Sequence, residues 1–112
     1  MDSLRVSTER QNDRVIVSLA GELDIASASR IEEALREAED AGPAIVMLDL
    51  RELEFMDSTG LRTILSADAR AKEAGRRLVV VQGDENVKRV FEVTRLYDRV
   101  EIVNDPGDVK SG

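Results

Sequence analysis

The sequence predicts an α/β fold: a single-layer, mainly parallel sheet of four to five strands packed with three to four helices. Three observations carry this reading. Short apolar runs suited to strands (VIVSLA, AIVMLDL, LVVVQ) alternate with stretches of helical apolar spacing, and glycine or Gly-Pro marks the junctions between them. Strands separated by helices of this length imply right-handed crossovers and parallel pairing, with the first strand antiparallel at an edge. At 112 residues the chain fits one domain.

Residues 4–7 read as a short first strand, and Gln11-Asn12-Asp13 as a turn before the strand Val15–Ala20, which Gly21 ends. After GELD (21–24), Ile31, Ala34, Leu35 and Ala38 share one helical face, so 28–41 reads as an amphipathic helix. Ser27 or Ser29 is its expected cap, the latter with Glu32 as a capping box. Gly42-Pro43 stops that helix. Ala44–Leu50 is apolar except for Asp49, as expected of a strand covered on both faces.

Leu61, Ile64, Leu65 and Ala69 form the stripe of a second helix ending near Gly75, and Leu78–Gln82 reads as another buried strand. Asp84 is the expected cap of a third helix bearing Val87, Val90 and Phe91. Val100–Val103 is a last strand. The domain is therefore expected at 1–104, with a flexible tail at 105–112.

Composition excludes several function classes. Acids outnumber bases 23 to 16, the net charge is −7, and no basic cluster interrupts the mixed pattern, so direct binding to nucleic acid is not expected. The absence of Cys removes disulfides and thiolate chemistry, and the absence of His removes Ser-His-Asp hydrolysis. Neither a signal core nor a run of about 18 apolar residues is present. The reading is a cytosolic protein without a membrane span.

In an open parallel sheet, loops leaving the carboxyl ends of the strands converge on one edge, where such folds place function. GELD and DSTG (57–60) both fall there and are expected to form one surface. The plainer reading of DSTG is helix capping by Asp57 or Ser58. Gly60 argues for more, because glycine in a first helical turn costs up to about 1 kcal/mol relative to Ala and would leave amides open to a partner. A nucleophilic Ser58 would need a base, and Lys72, Lys88 and Lys110 are not placed beside it. Phosphate-loop motifs are absent.

Asp49 invites comparison with the phospho-accepting aspartate of receiver domains. The lysine those domains carry after a late strand is missing here, so a structural Asp49 bonded to a neighbouring loop is expected. Glu22 and Asp24 read as turn acids, a weak signal for metal binding.

With these residues in hand, the sequence resembles the STAS domain family, and within it the bacterial anti-sigma factor antagonists. The matching segments are VSLAGELDIASA, IVMLDLRELEFMDSTGLRTIL and NVKRVFEVTRLYDRVEIV, in order over nearly the whole chain. The resemblance implies no catalytic activity and no cofactor. It implies that Ser58 is phosphorylated by a partner that is both anti-sigma factor and serine kinase. The unphosphorylated form binds that partner and frees the sigma factor, phosphorylation cancels binding, and a metal-dependent serine phosphatase restores it.

Gly21, Glu22, Asp24, Asp57, Ser58, Thr59, Gly60 and Leu61 are the partner-binding residues expected on this basis. The chain departs from the family at Arg95, where glycine often follows threonine, which bears on the helix ending near Thr94. Other members are scaffolds in stress-sensing complexes or modules of transporters, and these supply the alternative, a non-switching scaffold or transporter-associated module. The short chain without spans, and a hydroxyl at 58, favour a free-standing antagonist.

Overall fold

Apolar alternation and a turn-forming Asn-Asp pair dictate the opening hairpin. In the computed structural model, which describes residues 3–109, β1 (Leu4–Gln11) and β2 (Arg14–Leu23) pair antiparallel from Leu4↔Gly21 to Gln11↔Arg14. The turn closes on Asn12 at φ 52°, a left-handed conformation that asparagine tolerates better than most side chains. β1 is thus longer than the four residues expected from sequence.

Three helices alternate with the remaining strands: α1 (Ala28–Asp40), β3 (Ile45–Met56), α2 (Ser58–Ala74), β4 (Arg77–Val81), α3 (Glu85–Thr94) and β5 (Glu101–Val103). The sheet order is β1-β2-β3-β4-β5, with every pair after the first parallel. Each crossover steps to the next strand in the same direction, so a constant handedness puts all three helices on one face. There Ile31 and Leu35, Ile64 and Ala67, and Val87 and Phe91 pack against Val17, Leu19, Leu48, Leu50 and Val80. Each of these side chains larger than alanine contributes roughly 1.5–3 kcal/mol by leaving water. Arg70 of α2 joins α1 through Glu39 at 2.7 Å and 2.9 Å and Glu32 at 3.4 Å.

The opposite face is covered more thinly, yet Ile45–Leu50 of β3 and Leu78–Val81 of β4 are buried throughout, as expected of strands covered on both faces. Ile16, Ile45, Met47, Val79 and Val81 form a smaller cluster there beneath Val109. Within the segment 105–112, expected as a tail, Val109 is 6% exposed and its carbonyl accepts from Arg14 at 3.5 Å. Residues 110–112 lie outside the described residues.

Farther along this face Asp49 is buried, and its partner is not a loop but Arg51 of the same strand. Arg51 Nε donates to Oδ1 at 3.0 Å, Nη2 to Oδ2 at 2.8 Å, and the Arg51 N–H to Oδ1 at 3.1 Å. Burial opposes ionisation of Asp49, but these bonds and the neighbouring charge outweigh it and hold the carboxyl below its usual range.

β3 was expected to stop at Leu50 and instead runs to Met56, and β2 passes through Gly21 to Leu23. Register shifts between Ser18 and Ala20, and between Gly21 and Glu22, each insert an extra β3 residue. Leu50, Leu53 and Met56 consequently reach the same core at three-residue spacing, which strand periodicity does not anticipate. On α2 the inward residues include Gly60, Thr63, Ile64, Ala67 and Ala71, whereas Ala69, expected in the stripe, is exposed.

Candidate functional site

The carboxyl ends of β2 and β3 lie side by side, with Glu22 opposite Phe55 and Leu23 opposite Met56. GELD and DSTG therefore leave the sheet from adjacent strands and do form one surface. Gly21, at φ 104°, occupies a conformation that side chains rarely adopt, and a Cβ there would overlap the Ser3 carbonyl. It shapes the strand; Glu22 beyond it is exposed.

The turn after β2 closes on itself. Asp24 Oδ1 accepts from the N–H groups of Ala26 at 3.0 Å and Ser27 at 3.2 Å, while the Ser27 hydroxyl donates to the Asp24 carbonyl at 3.2 Å and accepts from the Asp24 N–H at 3.1 Å. Ser27 stands at the α1 N-cap without bonding a helix amide, and Ser29 lies inside the helix, so neither expected cap forms. The reason is local: Asp24, three residues earlier, takes up the Ser27 hydroxyl first. Ile25 is left at the tip of the turn, 82% exposed.

The turn after β3 is organised by Asp57 alone. Its side chain accepts from the Thr59 N–H at 2.9 Å, and its carbonyl accepts from Gly60 and Leu61 at 3.1 Å and 3.3 Å. Asp57 is therefore the cap. Ser58, the first residue of α2, is exposed, and its hydroxyl has no partner among the described residues. Thr59 and Leu61 are half-buried, and Thr63 Oγ1 donates to the Thr59 carbonyl at 3.0 Å.

Gly60 is buried, and the expectation that it opens amides to a partner is corrected. Its N–H is bonded to Asp57, and a Cβ would stand 2.8 Å from the Met56 sulfur and 3.1 Å from Leu23 Cδ1. The glycine lets α2 start directly over the ends of β2 and β3.

Glu22, Asp24 and Asp57 come from the two turns, and the exposed Arg62 follows Ser58 by one turn of α2. Among the described residues no lysine is available as a base there. Lys72, toward the far end of α2, pairs with Asp68 at 2.8 Å, and Lys88 lies on α3 with Glu85 at 3.5 Å. Lys110 falls outside the described residues. No group of three or more carboxylates among the described residues is arranged to hold a metal ion.

Two exposed apolar side chains beside the site were not singled out from sequence, Ile25 and the 45% exposed Phe55. The sequence signal for Phe55 was faint, because an aromatic at a strand end reads as core; the bulges in β3 turn it outward. Phe91 is fully buried, and Tyr97 meets it edge-on at 6.2 Å while donating to Gln82 Oε1 at 2.6 Å.

Known proteins resemble this chain in sequence and fold. The STAS domain family model matches residues 5–109. The anti-sigma-B factor antagonist of Listeria monocytogenes is 33% identical over 101 residues, covering 90% of this chain and 89% of that protein. A crystal structure of an anti-sigma factor antagonist from Mycobacterium paratuberculosis superimposes with a TM-score of 0.86 at 25% identity, over 95% of this chain and 90% of that one. The Bacillus cell fate determinant SpoIIAA, solved in its phosphorylated form, shares the fold with a TM-score of 0.72 at 19% identity, covering 93% and 96% of the two chains. No helix among the described residues is long and apolar enough to cross a membrane. The chain belongs to the STAS domain family, among the anti-sigma factor antagonists.

Proposed function

We propose that this protein is a non-catalytic, cytosolic switch: unmodified, it binds an anti-sigma factor that is also a serine kinase, and phosphorylation of Ser58 ends that binding. The observation that carries the reading is the division of labour in DSTG. Asp57 holds the helix cap, so the Ser58 hydroxyl stays exposed and unbonded among the described residues, available to a kinase without disturbing the fold. Glu22, Asp24, Asp57, Thr59 and Leu61, with Ile25 and Phe55, present the docking surface, while Gly21 and Gly60 shape it from beneath.

A phosphoserine carries about −1.5 to −2 charges at neutral pH. At the start of α2 that charge is locally favourable by about 0.3–1 kcal/mol, so the domain stays folded. At the docking surface it adds to Glu22, Asp24 and Asp57 and places a hydrated group in the contact, where about 2.8 kcal/mol already means a hundredfold loss of affinity. A metal-dependent serine phosphatase would reset the switch.

The test is incubation with ATP and candidate anti-sigma kinases from the same genome, with the phosphate mapped by mass spectrometry. Labelling of wild type at Ser58 and none of Ser58→Ala is the expected result. Equal labelling of the two proteins would mean another acceptor, and no labelling by any candidate would favour a constitutive scaffold in which DSTG is a cap and a contact.

A further inference from the structure

The long first strand lies at the edge of the sheet with one side unpaired, and its alternation fixes which groups face outward. Glu22 N–H donates to the Ser3 carbonyl at 3.3 Å, and Gln11↔Arg14 closes the two-residue turn. Antiparallel ladders alternate bonded and non-bonded pairs, so the odd-numbered residues of β1 bond β2. The main-chain groups of Val6, Thr8 and Arg10 then point away from the sheet. Arg30 Nη1 marks the same outer side by donating to the Leu4 carbonyl at 3.1 Å. None of the described residues bonds the outward groups of Val6, Thr8 or Arg10.

Exposed edges of this length are usually guarded by charge. The charges on β1 guard it selectively. For two copies to pair antiparallel with outward groups meeting outward groups, the two-fold axis must pass through a residue rather than between residues. An axis through Arg5 or Glu9 sets like charges directly opposite. An axis through Val6 puts Arg5 opposite Ser7, and one through Thr8 puts it opposite Gln11. Only an axis through Ser7 sets Arg5 opposite Glu9 of the second copy, twice, in the non-bonded pairs where side chains approach closest.

We propose that β1 is a homodimerisation edge, at which two copies of this chain pair antiparallel about Ser7. Val6 and Thr8 of each copy exchange main-chain hydrogen bonds with Thr8 and Val6 of the other. Arg5, Ser7 and Glu9 lie on the face away from the helices. Ser7 lines a polar cavity of about 540 Å³ there with Ser18, Asp49, Arg51 and Glu52, and the pairing runs the two cavities together across the axis.

Sedimentation of the full chain over concentrations up to millimolar tests this directly. Wild type is expected to dimerise, Arg5→Glu to weaken the dimer about tenfold, and the exchange Arg5→Glu with Glu9→Arg to restore it. Thr8→Pro, which removes an outward N–H without touching the ladder to β2, is expected to abolish dimerisation with circular dichroism unchanged. If Thr8→Pro unfolds, the charge exchange alone decides. A wild type that stays monomeric, a dimer indifferent to Arg5→Glu, or an exchange that fails to restore association would each overturn the proposal.

Discussion

The two turns at the carboxyl edge of the sheet use the same residue types to opposite ends. After β2, Asp24 and Ser27 bond each other, and Ser27 is 1% exposed. After β3, Asp57 caps α2 by itself and Ser58 stays in solvent. The difference follows from spacing. Ser27 lies three positions after Asp24, enough for the chain to fold back and enclose the hydroxyl. Ser58 directly follows its aspartate and already belongs to the helix, so its side chain is directed outward. A hydroxyl beside an acid is thus part of the frame in one turn and a handle in the other.

The largest stability effect that could break this comparison lies beneath the second turn. Gly60→Ala forces a methyl group against Met56 and Leu23 and is expected to cost about 1–3 kcal/mol in urea unfolding. A neutral substitution would mean that packing under α2 does not set the position of Ser58.

The comparison itself is sharpened by the two serines. Ser27→Ala removes the buried hydroxyl that bonds the Asp24 N–H and should lose about 1–2 kcal/mol, whereas Ser58→Ala should stay within about 0.5 kcal/mol of wild type. Equal losses would erase the distinction between frame and handle.

A third turn is governed by backbone conformation rather than side-chain bonding. Arg95 ends α3 at φ 59°, so the left-handed helix ending is kept without a glycine. Its ion pair with Asp98, at 3.3 Å, is between exposed groups. Arg95→Gly is expected to stabilise the domain by about 0.5–1 kcal/mol, read as a rise in thermal midpoint.

Most of the fold was legible because it rests on local signals: the apolar periods of α1 and α3, the Asp84 cap, which accepts from the Asn86 N–H at 2.8 Å, and the Gly42-Pro43 stop. What sequence reading missed depends on pairing between distant segments. The bulges that carry β3 to Met56 break the alternation by which strands are recognised, and Val109 is held by side chains from three different strands. At the start of α2, the Asp57 cap was legible from residue type and position. The burial of Gly60 was not, because the atoms that exclude a side chain there come from Met56 and Leu23, on the ends of two strands. Ile25 and Phe55 escaped notice for the converse reason: apolar side chains read as core until the sheet edge is built.

The central claim is that phosphate on Ser58 removes binding while leaving the fold intact. Its most direct test is a calorimetric titration of the cognate anti-sigma factor with unmodified and Ser58-phosphorylated protein, with circular dichroism of both forms. Superimposable spectra and an affinity lower by about a hundredfold or more in the phosphorylated form are expected. Equal affinities, or a loss of binding that accompanies unfolding, would contradict it.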